Sequence, residues 1–241
     1  MAGRSDGRGG AAGAATPYFL YLHGFASSPA SSKAGLFRER LAAHGLPLHC
    51  PDLNRPDFST LTTTRMVAQV AATVAGLPPG PVVLIGSSLG AFVALHVAEA
   101  ATAGPHPVER LVLLAPALDF GRRPVGDLGV EGMARWRDEG WWETTHHASG
   151  ERCRVHYELF RDAQRYDSFA VRRALPTLIL QGSRDDVVDP AMVARFAAAR
   201  PHVRLIVLDD DHRLTAEPGS LWELTARFLG LPEPEQGRRG R

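Results

Sequence analysis

The stretch Pro81-Val-Val-Leu-Ile85-Gly86-Ser87-Ser88-Leu89-Gly90-Ala91-Phe-Val-Ala-Leu-His96 decides how the rest of the chain is read. An apolar run rich in β-branched residues ends at Gly86, and a second run with helical spacing starts just after Ser88. Between them lies a G-x-S-x-G, the pattern of a tight strand-to-helix turn that lifts a serine hydroxyl above the edge of a sheet. Such a turn forces unusual backbone angles on Ser88, and glycine on either side lets strand and helix approach without a Cβ clash. The string alone is common; between a strand and a helix it is specific. Ser87 sits at the variable position and is expected to shape the turn.

Working outward, short β-rich runs alternate with amphipathic stretches, the pattern of a parallel sheet covered by helices on both faces. Strands are expected at Tyr18 to His23, Leu46 to Pro51, Val82 to Gly86, Arg110 to Ala115, Thr177 to Gly182 and Val203 to Leu208. Helices are expected at about Ser31 to His44, Leu61 to Ala75, Ser88 to Ala103, Pro190 to Ala199 and Glu217 to Leu229. The alternation breaks over about residues 119–175, far longer than an ordinary connection. That segment reads as a small cap of two or three short helices. It carries Trp136, Trp141, Trp142, Tyr157, Phe160 and Tyr166, either as an aromatic roof over a pocket or as anchors for the cap itself.

A serine hydroxyl attacks only when a base takes its proton, and in this kind of turn the partners follow in the order acid, then histidine. After Thr177-Leu-Ile-Leu180 comes Gln181-Gly-Ser-Arg-Asp185-Asp186, an acid-bearing loop at the carboxyl end of a strand. Asp185 is the expected acid, with Asp186 its close competitor and Asp189 expected to cap the helix that Pro190 begins. After Leu205-Ile-Val-Leu208 comes Asp209-Asp-Asp211-His212, which makes His212 the expected base. The three aspartates either stabilise its charged form or form a solvated turn. An oxyanion needs preorganised donors: the backbone N–H of Leu89 is one, and His23-Gly24-Phe25-Ala26 offers the Phe25 amide, with Ala26 as a possible helper. His23 is expected to be structural.

The 241 residues, 44% apolar with a formal charge of +1, suit one domain over residues 17–231, with a disordered Gly/Ala/Arg-rich tail expected at 1–16 and a polar tail at 232–241. The basic residues are 26 arginines and one lysine without a basic block, so no nucleic-acid partner is expected. Cys50 and Cys153 make no pair or framework, and no apolar run is long enough for a signal peptide or a membrane span. A cytoplasmic setting is expected. His146-His147 are adjacent and fit no ligand spacing, and phosphate-binding glycine motifs are missing, so neither a metal nor another cofactor is expected.

Tyr21-Leu-His-Gly-Phe25-Ala-Ser-Ser-Pro29, with Ser32-Lys33-Ala34, resembles the opening of the small bacterial esterases of the YqiA type. Gly86 to Gly90, Gly182 to Val188 and Asp211-His212-Arg213 are similar to segments of the ABHD10-type acyl-thioesterases and acyl-glucuronide esterases. The resemblance implies the α/β-hydrolase fold: about six mostly parallel strands in the order 2-1-3-4-5-6, flanked by helices, with a small helical cap. It also implies hydrolysis of acyl esters or thioesters by Ser88, Asp185 and His212. Ala91 departs from the second glycine of many relatives. Lys33, the sole lysine, reads as a solvated helix residue or an anchor for a substrate carboxylate. The expected partner is a small-molecule acyl ester or thioester, with a homodimer left open. A peptidase or amidase, a binding protein with a silent triad, and a scaffold built on the aromatic cap are the competing readings.

Overall fold

The structure is a computed structural model that describes residues 15–101, 104–125, 128–146 and 150–232. The expected tails, 1–16 and 232–241, fall almost wholly outside the described residues, as does His147. In chain order the elements are β1 (Tyr18–Leu22), α1 (Ser32–Ala42), β2 (Leu48–His49), α2 (Thr63–Ala75), β3 (Val82–Ser87), α3 (Leu89–Ala100) and β4 (Val108–Leu114). They continue with α4 (Gly129–Glu139), β5 (Trp141–Thr145), β6 (Arg152–His156), α5 (Glu158–Ala163), β7 (Thr177–Gly182), α6 (Pro190–Ala198), β8 (Val203–Leu208) and α7 (Pro218–Leu229).

Six strands form one parallel sheet in the order β2-β1-β3-β4-β7-β8. With the β5–β6 hairpin set aside, this is the order expected from the sequence. Side chains alternate across the sheet. Leu20, Leu22, Val82 and Leu84 face the layer that contains α2, α3 and α6. Phe19, Tyr21, Val83 and Ile85 face Phe37 and Leu41 of α1 and Leu221 and Trp222 of α7. The second strand is shorter than Leu46 to Pro51, because the Leu46 N–H is bonded to the Leu41 carbonyl closing α1 and Pro51 has no N–H to give.

Helix α3 is buried without a break from Leu89 to Ala98. A helix that is apolar all round has no solvent face and must be enclosed. Here the sheet lies on one side, while α2 and the segment 119–175 cover the others. That segment contains α4 and α5 and also an antiparallel hairpin, β5 with β6, which the sequence reading left out. Gly140, at φ 78, ends α4 and turns the chain straight into β5. The hairpin sequences Trp-Trp-Glu-Thr-Thr and Arg-Cys-Arg-Val-His bury fully only Val155, and the alternation in the second is too short to announce a strand by itself. The cap is tied down by Asp162, whose buried carboxylate accepts from both the backbone N–H and the hydroxyl of Thr64 at the start of α2. None of the described helices is long and apolar enough to cross a membrane.

Between α3 and the cap, the buried His96 ring packs edge-on against Phe92 and Tyr166, with Nε2 3.3 Å from the Ser168 hydroxyl. Burial pushes its pKa down to about 4. The unfolded chain protonates this histidine at its ordinary value near 6.5, so its contribution to stability is complete above that pH and is lost as the pH falls towards 4. We expect the unfolding free energy from urea denaturation to decline over that window by up to roughly 3 kcal/mol from this residue alone, and His96→Gln to flatten the decline. An unchanged slope in the variant would mean that His96 is not held neutral.

Candidate active site

The chain leaves β1 towards β2 on one side and leaves β3 towards β4 on the other, so the order of the sheet reverses between β1 and β3. Ligands of open parallel sheets gather at the carboxyl ends of the strands at such a point. Gly24 and Phe25 follow β1 there and Ser88 follows β3, while Asp185 and His212 stand in the loops after β7 and β8.

Ser88 has φ 53 and ψ −117, a region that costs a side-chain-bearing residue about 1–3 kcal/mol. Its N–H donates to the Leu114 carbonyl, and its own carbonyl accepts from the amides of Ala91, Phe92 and Ala117. A Cβ on Gly86 would lie 2.5 Å from the Ala91 Cα, and one on Gly90 would lie 2.1 Å from the Leu22 carbonyl oxygen. Both glycines are therefore needed where they stand. Ala91 fits without a second glycine because Gly86 presents no side chain to it. Among the described residues other than glycine, positive φ is confined to Ala26, Ser88, Ala115 and Leu214. All four lie in loops at this one edge of the sheet.

The Ser88 hydroxyl is 3.0 Å from His212 Nε2, and His212 Nδ1 lies 2.9 and 3.1 Å from the two carboxylate oxygens of Asp185. Asp185 Oδ1 also accepts from the Val187 and Val188 amides, and Oδ2 accepts from Gln181 Nε2. Burial pushes the Asp185 carboxyl up, but the bonds from His212, Val188 and Gln181 outweigh it and hold the group below its ordinary value. An ionised acceptor at Nδ1 puts the ring proton there and leaves the Nε2 lone pair facing the hydroxyl. Such an arrangement can take a proton from Ser88 and return it to a leaving group.

The structure brings Asp185, rather than the exposed Asp186, to His212. Asp189 caps α6 through the Ala191 amide, as expected. The aspartates before His212 shape its loop: buried Asp210 accepts from the Asp211 and Ala216 amides, Asp211 accepts from the Arg213 amide, and Asp209 pairs with Arg184 outside.

Two backbone amides remain near the hydroxyl. Leu89 opens α3, where N–H groups are unpaired and the helix dipole favours negative charge. Phe25 follows Gly24, whose backbone lies against Ser88. His23 Nδ1 is 2.9 Å from the Gly24 carbonyl oxygen, and its Nε2 accepts from the Leu53 amide at 3.0 Å. Both bonds form in the neutral ring with the proton on Nδ1, and burial lowers the pKa of His23 to match. The Gly24 carbonyl and the Phe25 N–H belong to one planar peptide and point in opposite directions. Anchoring the carbonyl to His23 therefore fixes where the Phe25 N–H points. Among the described residues neither the Phe25 nor the Leu89 N–H has an acceptor.

Trp142 of the hairpin stacks on Phe25, with ring centroids 5.5 Å apart and planes 8° off parallel, and Phe58 flanks the same ring. Trp136 instead is fully buried and donates to the Val155 carbonyl. The cap aromatics thus divide into an anchor, Trp136, and a residue covering the site, Trp142. The sequence reading missed Gln181, whose signal was a polar residue ending an otherwise apolar buried strand.

A family model described as an uncharacterised protein family, UPF0227, matches residues 18–228. The chain belongs to that family. This UPF0227 member is also 30% identical over 130 residues to the mitochondrial palmitoyl-protein thioesterase ABHD10 of Bos taurus, a match covering 53% of this chain and 42% of that protein. The match thus spans less than half the length of that relative. Among solved structures, a protein from Agrobacterium vitis S4 superposes with TM-score 0.76 at 25% identity, covering 88% of this chain and 87% of the other. Mouse alpha/beta hydrolase domain-containing protein 10 does so with TM-score 0.71 at 23% identity, covering 90% and 91%. Est1E from Butyrivibrio proteoclasticus with ferulic acid bound gives 0.74 at 17% identity, covering 89% and 88%. The fold is that of the α/β-hydrolases.

Replacing His23 by Leu leaves the buried Leu53 amide without its acceptor and frees the Gly24 peptide. We expect a loss of about 2 kcal/mol or more in urea denaturation, and a wild-type midpoint in the variant would remove His23 from this role.

Proposed function

We propose that this UPF0227 protein is a serine hydrolase of carboxylic acyl esters or thioesters, working through an acyl-enzyme intermediate. The observation that carries the reading is the continuous chain from Ser88 Oγ to His212 Nε2 at 3.0 Å and from His212 Nδ1 to Asp185 at 2.9 Å. Ser88 attacks the acyl carbonyl while His212 takes its proton, and Asp185 holds the ring in the required tautomer and offsets the imidazolium charge. The Phe25 and Leu89 amides receive the oxyanion, and such donors are worth a few kcal/mol each at the transition state. The alcohol or thiol leaves with the proton from His212, and water activated by the same ring releases the acid. The thioesterase name of the partly matching relative supports thioesters as substrates beside oxygen esters.

The silent-triad reading would leave Asp185 or His212 turned away from Ser88, contrary to the distances above. The scaffold reading needs a large exposed aromatic patch, whereas the strongly exposed large apolar residues among those described are Val130, Phe169, Val187 and Val207, of which one is aromatic. Unpaired Cys50 and Cys153 suit a reducing compartment such as the cytoplasm.

A fluorophosphonate probe should label the wild type and not Ser88→Ala, with p-nitrophenyl ester turnover lost in parallel. Asp185→Asn should lower kcat by about 10³-fold or more, while Asp186→Asn stays within about twofold of wild type. An unlabelled wild type would contradict the proposal, and equal losses in the two Asn variants would contradict the assignment of Asp185.

A further inference from the structure

The N-terminal turn of α1 touches both halves of the site. Ser31 caps the helix through the Ala34 amide, and its hydroxyl neighbours that of buried Tyr21, as does the hydroxyl of Ser87 beside Ser88. Two residues further on, the Lys33 ammonium donates to the carbonyl of Arg213 at 2.5 Å, across 180 residues of sequence. Arg213 directly follows His212, and Leu214 after it adopts φ 52. Apart from the bonds of the His212 ring to Asp185 and Ser88, the other hydrogen bonds of this loop come from the loop itself or from Arg184 after β7. Lys33 reaches it from the segment that continues the Phe25 loop.

The charges around Lys33 are Asp185 from the loop after β7, and Asp210, Asp211 and Arg213 from the loop after β8. A cation is therefore set among three carboxylates, one of which orients His212. The chain otherwise uses arginine for its basic residues, yet this half-buried site carries its single lysine. An ammonium is a compact point charge, suited to one carbonyl in a confined space, where a planar guanidinium is bulkier.

We propose that Lys33 is a positioning residue, which fixes the His212 loop through the Arg213 carbonyl and ties it to the oxyanion loop through the start of α1. This rests on the reading of Ser88 and His212 as nucleophile and base. The role is orientation, so it acts on kcat rather than on substrate binding; small displacements of a catalytic group cost large factors in rate. Burial lowers the Lys33 pKa to about 8 against the pull of the neighbouring carboxylates. The tie weakens as the ammonium deprotonates, so the wild-type rate falls as pH rises through that value.

The test is kcat and KM for a p-nitrophenyl ester from pH 6 to 10 in wild type, Lys33→Met and Lys33→Arg, with thermal melts and fluorophosphonate labelling of each. We expect Lys33→Met to melt cooperatively and to lower kcat about tenfold or more, with KM within twofold and no remaining inflection near pH 8. Lys33→Arg keeps the charge and should recover part of kcat, with the alkaline decline moved to higher pH. Wild-type kcat in Lys33→Met would overturn the proposal. So would a raised KM at constant kcat, which would make Lys33 a substrate anchor, or identical profiles for Met and Arg. If Lys33→Met does not fold, Lys33→Arg decides alone: an alkaline decline unmoved from the wild-type position overturns the proposal. A wild type that fails to label overturns the hydrolase reading instead, whatever the Lys33 variants do.

Discussion

The close approach of α3 to the ends of β1 and β3 is the constraint on which the site depends. At Gly86 and Gly90 backbone meets backbone, and a methyl group at either position would lie well inside contact distance of its neighbour. That approach goes with the positive φ of Ser88 and sets the first amide of α3 directly after it. It also brings Gly24 of the neighbouring strand end against Ser88. The strain at Ser88 is held by backbone hydrogen bonds on both sides and by a helix that cannot withdraw, because it is enclosed from Leu89 to Ala98.

A second layer sets orientation. His212 is one link in a chain that runs back through Asp185 to Gln181 and the Val187 and Val188 amides. Phe25 is one end of a peptide whose other end is fixed by His23, and His23 is in turn fixed by Leu53. Both chains join neutral or oppositely charged partners. Burial thereby strengthens these bonds without leaving an isolated charge. Trp142 adds an apolar cover over the Phe25 side, joining the cap to the loop that carries the amide.

The sheet was legible in the sequence because most of its strands are rich in apolar residues, and all but β4 are followed by a helix of clear spacing. Thr177–Gly182 and Val203–Leu208 come out residue for residue. Ser88, His212 and the pair Asp185–Asp186 could be read because a local turn pattern and the order of the loops depend on sequence alone. What separates Asp185 from Asp186 is which carboxylate turns inward to the Val187 and Val188 amides, and that depends on loop backbone. The hairpin was hidden because its strands are short, rich in charged and polar residues, and fully bury only Val155. The contact of Lys33 was hidden because its partner lies 180 residues away, and Gln181 showed only as a polar residue in a buried strand.

The most direct test of this account is peptide mapping by mass spectrometry after brief exposure of the protein to p-nitrophenyl butyrate and an acid quench. One butyryl group on the peptide carrying Ser87 and Ser88, with fragmentation assigning it to Ser88, is the predicted result. Release of p-nitrophenol with no acyl adduct there, or with the adduct on Ser87 or elsewhere, would contradict it.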